Sequence, residues 1–189
     1  MKHFVSADSL RTDSYQLAAK VVKSGFKPDY LVAIWRGGAP IGCYVHELLK
    51  YVGMKTDHIA IRTSRYSGID QAHESVQVYN LGYLSERVNK SSKILLVDDV
   101  YDTGLSIKAV YDAFKERFGD NCPEDIRTAT VYFKPSRNKT DRVPEYYVHE
   151  SDKWLVFPHE IEGLTLDEIS HHINPETASL VAECVALTH

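Results

Sequence analysis

The stretch KILLVDDVYDTGLS, from Lys93 to Ser106, limits the possible folds more than any other. Ile94, Leu95, Leu96 and Val97 are apolar without a break, whereas a strand with one wet face alternates apolar and polar side chains. A strand covered on both faces belongs to a parallel sheet with helices packed above and below it. The run then meets Asp98, Asp99 and Asp102 and passes into Thr103, Gly104, Leu105 and Ser106. From Ser106 to Phe118 the residues Ile107, Val110, Tyr111 and Phe114 fall on one helical stripe. A buried strand, an acidic end, a turn of small residues and a helix follow one another without a gap.

The rest of the chain repeats that alternation. YLVAIW (Tyr30–Trp35) is a short apolar strand, followed by Arg-Gly-Gly and a helical pattern to about Tyr51. HIAIR, KILLV, TATVYF and EYYVHE read as further strands, and Thr63 to Val76 as a polar, irregular loop. Ser6 or Asp8 can cap a first helix that ends near Gly25. Leu166 to Leu187 reads as one amphipathic helix, suited to packing or to an oligomer surface. Alternating strands and helices predict an α/β fold, a mainly parallel sheet flanked by helices. No repeat or linker breaks the 189 residues, so a single domain is expected.

Composition excludes several classes. Apolar content of 43% and charged content of 25% are those of a soluble globular chain. A net charge of −4 supplies no overall basic field for nucleic acid or an anionic membrane. MKHFVSADSL lacks the apolar core of a signal peptide, and no apolar run reaches bilayer length. Cys43, Cys122 and Cys184 are odd in number and far apart, as expected of reduced thiols in a cytoplasmic protein. The His171-His172 pair has no Cys or acidic cluster beside it and reads as a solvated helix face.

Ligands of such sheets bind at the carboxyl ends of the strands, where DDVYDTGLS lies. The amides of that turn and of the helix N-terminus favour an anion such as phosphate. Gly104 lets backbone approach closely, and the hydroxyls of Thr103 and Ser106 add donors. The neighbouring carboxylates repel phosphate, but they accept bonds from sugar hydroxyls or hold Mg²⁺ through water. A phosphate cup beside carboxylates suits a phosphorylated sugar. An isolated Asp-Thr-Gly would read as a strand end and a turn; the longer pattern favours the ligand.

LLVDDVYDTGLS resembles the phosphoribosyl-pyrophosphate motif of type I phosphoribosyltransferases, with Leu105 where many members carry a second Gly or a Lys. IWRGGAP resembles their pyrophosphate loop. The resemblance sets Arg36 against pyrophosphate, with Gly37 and Gly38 offering amides. In purine enzymes the peptide entering this loop is often cis, here Trp35–Arg36. RTSRYSGIDQAHESVQVYN corresponds to a flexible loop that closes over the reacting centre, with Ser64, Arg65 and Tyr66 where a Ser-Tyr pair is common. VYFKP, together with PEYYVHESDKWLVFPHEIEG, resembles 6-oxopurine phosphoribosyltransferases, closest to the short bacterial and archaeal type. Many relatives read F-P-W-E where this chain has Phe157-Pro158-His159-Glu160.

The resemblance implies the remaining roles. Lys134 would donate to the purine 6-oxygen, with Trp154 covering the ring and Leu155 beside it. Asp98, Asp99, Asp102 and the turn Thr103–Ser106 would hold phosphoribosyl pyrophosphate. Asp102 would also accept the proton of ring nitrogen 7 as nitrogen 9 attacks. Asp98, Asp99 and Glu160 would serve Mg²⁺. The core would span about 28–135, a base-binding hood about 136–165 and a helical extension 166–189. The partners implied are phosphoribosyl pyrophosphate, a purine base and further copies of the chain, as a dimer or tetramer. The resemblance runs from about Tyr30 to Glu160.

Other classes fit less well. A signalling receiver needs an acceptor Asp ending a later strand, and TATVYF ends at Lys134. A haloacid-dehalogenase phosphatase needs D-x-D-x-T, which the spacing of Asp99 and Asp102 does not give. A nucleotide-sensing regulator on the same fold would not need Asp102 and Lys134. The Lys-Pro and Lys-Trp segments disfavour an enzyme for adenine or pyrimidines.

Overall fold

The structure, a computed structural model, describes residues 2–66 and 75–188. Its elements are β1 (Lys2–Phe4), α1 (Ala7–Lys23), β2 (Tyr30–Trp35), α2 (Gly38–Tyr51), β3 (Asp57–Tyr66), β4 (Ser75–Tyr79), β5 (Lys93–Tyr101), α3 (Leu105–Phe118), β6 (Asp125–Phe133), β7 (Tyr146–Glu150), β8 (Trp154–Val156), α4 (Leu166–His172) and α5 (Pro175–Thr188). By internal packing, Met1–Leu10 with Lys153–His189 forms one compact unit and Arg11–Asp152 the other.

The larger unit is built on a six-stranded sheet in the order β4-β3-β2-β5-β6-β7. Every pairing is parallel except β3 with β4. Ile94, Leu95, Leu96 and Val97 are each 0% exposed, which is why this run carries no polar side chain. Alternate side chains of a strand face opposite sides, and the two sides are covered by different helices. Val32, Ile34, Ile94 and Leu96 share a cluster with Ile107, Val110 and Phe114 of α3. On the other side α2 approaches β2 so closely that a side chain at Gly42 would meet Ala33 Cβ at 2.9 Å.

The strand order reverses at β2. From there the chain runs outward to β3 on one side and returns to β5 on the other. The carboxyl ends of β2 and β5 therefore meet at the switch point of the sheet, the place where open α/β sheets bind ligands.

Several elements differ from the sequence expectations. β5 does not stop at Asp98 and Asp99. Its pairing with β2 ends at Val97, but pairing with β6 continues to Tyr101↔Phe133. Thr63 to Tyr66 are not loop but the end of β3, and Ser75 and Val76 begin β4. Polar composition misled there because this is an edge hairpin. Its backbone is satisfied by pairing, such as Ser64↔Gln77, which polar composition does not reveal. The rest of the expected loop lies outside the described residues.

β1 and β8 pair in parallel in the smaller unit, with registers Lys2↔Trp154 and Phe4↔Val156. Three residues each are too few to show a pattern. The expected C-terminal helix is two, because Asn174-Pro175 restarts it. Asn174 Oδ1 accepts the Thr177 amide at 2.7 Å, and the residue before proline avoids helical geometry. Thr165 and Glu168 form a reciprocal capping box at the start of α4. Ser6 does cap α1, its hydroxyl accepting the Ser9 amide at 3.1 Å. Among the described residues no helix is long and apolar enough to cross a membrane.

Candidate functional site

The loop after β2 is shaped by its glycines. The Trp35–Arg36 peptide is cis, as expected. A Cβ on Gly37 would lie 2.0 Å from Asp99 Oδ2, and one on Gly38 would lie 2.2 Å from the Val97 carbonyl oxygen. At Gly38 only hydrogen fits against the backbone of β5, and at Gly37 a side chain would have to displace the Asp99 carboxylate. Trp35 and Arg36 remain exposed above that contact.

Asp98 and Asp99 stand where β5 outruns β2. The Asp99 amide donates to Asp98 Oδ1 at 3.0 Å, and the Val100 amide donates to Asp99 Oδ1 at 2.7 Å. Burial, with the Asp99 charge second, pushes the Asp98 carboxyl well above the usual carboxylate range, against the amides of Asp99 and Gly38 that favour its anion. Two adjacent carboxyls short of water are a natural seat for a cation or for sugar hydroxyls.

Beyond them the chain turns at Gly104, whose φ is +76°. This left-handed conformation suits glycine, and space demands glycine as well. A Cβ would fall 2.7 Å from the Tyr101 ring and hydroxyl and 2.8 Å from Thr140 Oγ1. α3 starts at Leu105 with no acidic residue in its first turn and no side-chain cap bond at Gly104. The Leu105 amide makes a long bond to Thr103 Oγ1 at 3.4 Å, and a helix N-terminus without an acidic cap favours an anion.

A segment after β6 is strapped across this turn. The Lys134 amide donates to the Tyr101 carbonyl at 2.9 Å, and the Lys139 amide donates to the Thr103 carbonyl at 3.0 Å. The Tyr101 hydroxyl donates to the Arg142 carbonyl at 3.1 Å and lies 2.9 Å from Thr140 Oγ1. Burial raises the pKa of this hydroxyl and so keeps it a donor.

The strap brings two cations to Asp102. Lys134 is buried, 6% exposed, and its Nζ reaches Asp102 Oδ2 at 3.4 Å. Arg137 Nε lies 2.6 Å from Asp102 Oδ1. Yet Oδ1 is buried and accepts no hydrogen bond, so the Arg137 contact is a charge pair whose N–H does not point at the oxygen. The sequence points to Asp102 and Lys134 but not to Tyr101, Thr140 or Arg137. Their signal is only proximity, Tyr101 before the turn and Arg137 and Thr140 soon after Lys134.

Of the expected site residues, Arg36, Gly37, Asp98, Asp99, Asp102, Thr103, Gly104, Leu105, Ser106 and Lys134 belong to the larger unit, at the carboxyl ends of β2, β5 and β6. Ser64, Arg65 and Tyr66 end β3 in the same unit. Trp154, Leu155 and Glu160 belong to the smaller one. There Trp154 is exposed and Leu155 buried. Glu160 accepts the Phe157 amide at 3.4 Å, and the His159 ring stacks on Phe157.

Residues 6–169 match the family model described as a phosphoribosyl transferase domain. The chain belongs to the phosphoribosyl transferase family. Among its relatives, a protein of Streptococcus pneumoniae named hypoxanthine-guanine phosphoribosyltransferase is 27% identical over 146 residues, 77% of this chain and 76% of that protein. The fold is shared with a purine phosphoribosyltransferase from Pyrococcus horikoshii, with a TM-score of 0.69 and 24% identity over 87% of this chain and 97% of that one. It is also shared with a Helicobacter pylori xanthine-guanine-hypoxanthine phosphoribosyltransferase, with a TM-score of 0.67 and 21% identity, covering 91% of this chain and all (100%) of that one. The mostly parallel, helix-flanked sheet expected from the sequence is therefore the architecture of phosphoribosyl transferases.

Proposed function

We propose that this protein transfers the 5-phosphoribosyl group from phosphoribosyl pyrophosphate to a 6-oxopurine, forming the nucleoside 5′-monophosphate and pyrophosphate in purine salvage. One observation carries the choice of base. Asp102 offers a buried carboxylate oxygen with no aligned donor, and the ammonium of Lys134 stands beside it. An acceptor next to a donor matches the N7–H and 6-oxygen on one edge of hypoxanthine, guanine or xanthine. Family membership and the names of the relatives support the transfer itself.

In this mechanism the turn Thr103–Ser106 receives the 5′-phosphate on its amides and hydroxyls. Asp98 and Asp99 accept bonds from the ribose hydroxyls. Arg36 and the Gly37 and Gly38 amides face the pyrophosphate, whose charge grows as the bond to the anomeric carbon breaks. Lys134 orients the base, and Asp102 takes the N7 proton as N9 attacks. Mg²⁺ suits Asp98 and Asp99, since their adjacent buried carboxyls disfavour two bare anions; when bound it neutralises leaving-group charge. On the resemblance alone, the proposal extends to Trp154 and Leu155 as base contacts, Glu160 as a further metal ligand, Ser64 to Tyr66 as loop contacts, and a cytoplasmic homo-oligomer.

Incubating the protein with phosphoribosyl pyrophosphate, Mg²⁺ and each purine separately, and measuring nucleotide and pyrophosphate, tests the reading. Hypoxanthine, guanine or xanthine should be consumed and adenine hardly at all. Equal use of adenine, or no nucleotide from any purine, overturns it.

A further inference from the structure

The two cations on Asp102 differ in their freedom to move. The Lys134 side chain is 8% exposed and that of Arg137 is 55% exposed. Arg137 sits on Asp102 Oδ1, the oxygen that the proposed reaction needs for the N7 proton. We infer that Arg137 is a displaceable occupant of the base site: its guanidinium holds the Asp102 carboxylate while the site is empty and leaves when a purine N–H takes Oδ1. The inference rests on the proposed function.

The geometry makes the exchange easy. Arg137 Nε is 2.6 Å from Oδ1, but Oδ1 accepts no aligned hydrogen bond. A purine N7–H can give Oδ1 the directional bond that Arg137 does not, and a carboxylate favours such a donor. Arg137 need move only its side chain, because the turn that carries it is fixed independently. The Arg137 amide donates to the Lys134 carbonyl at 3.2 Å, and the Ser136 hydroxyl donates to Asp152 at 2.6 Å. Lys134 cannot exchange in the same way, since its chain is enclosed. A ligand lacking a donor at this position could not displace Arg137, so the residue discriminates against such ligands, while those that carry the donor bear the cost of the exchange.

Arg137→Gln and Arg137→Lys test the inference in the full-length protein, with steady-state kinetics at saturating phosphoribosyl pyrophosphate. Removing the competing charge should lower the KM for hypoxanthine about two- to fivefold, the range of a surface ion pair. The KM for phosphoribosyl pyrophosphate should hold. Rising salt screens the pair, so the parental KM for the neutral base should fall with salt while that of Arg137→Gln stays flat. Arg137→Lys keeps the charge and should follow the parent. An unchanged or raised base KM in Arg137→Gln, equal salt dependence in both, or the same fall in Arg137→Lys overturns the inference alone. A parent that makes no nucleotide from any 6-oxopurine overturns the proposed function and this inference with it.

Discussion

The side chain that Gly37 lacks would place its first carbon 2.0 Å from the Asp99 carboxylate. The bare backbone of the loop after β2 thus lies against the Asp99 carboxylate at the end of β5. Gly37→Ala must push Asp99 aside. Overpacking of this kind costs about 1–3 kcal/mol, and here it also moves a proposed ligand of the sugar. Thermal unfolding and a phosphoribosyl pyrophosphate titration should show a lowered Tm and a raised KM together. A variant with parental values for both would mean that the loop yields freely and does not fix Asp99.

Asp98 makes stability depend on pH. Its folded pKa is raised by burial and by Asp99 from the ordinary value of 3.8. Between the two values the folded state holds a proton that the unfolded state has lost, so stability falls as pH rises through that window and then levels. Asp98→Asn removes the penalty while its amide oxygen can still accept from Asp99 and Gly38. The variant should melt above the parent at neutral pH, and the gap should shrink as pH falls toward 3.8. A gap that is constant with pH would refute the raised pKa.

Gly104 is constrained twice, by its positive φ and by Tyr101 beneath it. Gly104→Ala should therefore disturb the turn even though alanine is small. The expected result is a raised KM for phosphoribosyl pyrophosphate and weaker binding of nucleoside monophosphate. Calorimetry that finds monophosphate binding unchanged would remove the 5′-phosphate from this turn.

Asp102→Asn keeps the shape of the side chain and loses the proton acceptor. Losing a general base typically costs about 10²–10⁴-fold in rate. Binding of phosphoribosyl pyrophosphate should change much less, since the turn from Thr103 to Ser106 is untouched. Near-parental turnover would take the role of base away from Asp102.

Lys134 supplies donors and no acceptor, so it suits a 6-oxo group and opposes a 6-amino group. A hydrogen bond to a charged partner is worth about 1.5–3 kcal/mol. Lys134→Ala should accordingly lose roughly 10- to 100-fold in kcat/KM on hypoxanthine and narrow the gap to adenine. A comparison of both bases on both proteins decides it. Parental efficiency and selectivity in the variant would leave the choice of base unsupported.

Much of this was legible in the chain because burial and phosphate chemistry both restrict residue choice. The unbroken run Ile94–Val97 announced a doubly covered strand, and Asp-Thr-Gly after it announced the turn. Arg-Gly-Gly was visible too, but the contact between Gly37 and Asp99 was not, since it depends on the register of β2 beside β5. Arg137 was invisible for a related reason. A half-exposed arginine in a polar stretch looks like any solvated charge until the fold sets it on Asp102. The β3–β4 hairpin was missed because an edge pair draws its stability from backbone pairing, which leaves little trace in side-chain polarity.

The phenol of Tyr101 fastens the strap that carries Lys134 to the floor beneath Gly104. If Lys134 selects the nucleobase and the Gly104 turn holds the sugar phosphate, as proposed, the two roles are consequently not separable modules. A graft that imports a relative's residues 134–142 to change base preference would arrive without its matching anchor. It would loosen the cofactor-like half of the substrate along with the half it was meant to retune. Evolutionary drift in base choice on this scaffold is expected to proceed through coordinated changes at 101 and 140, the two positions whose side chains make the anchor, and directed libraries should vary them together with 134 and 137.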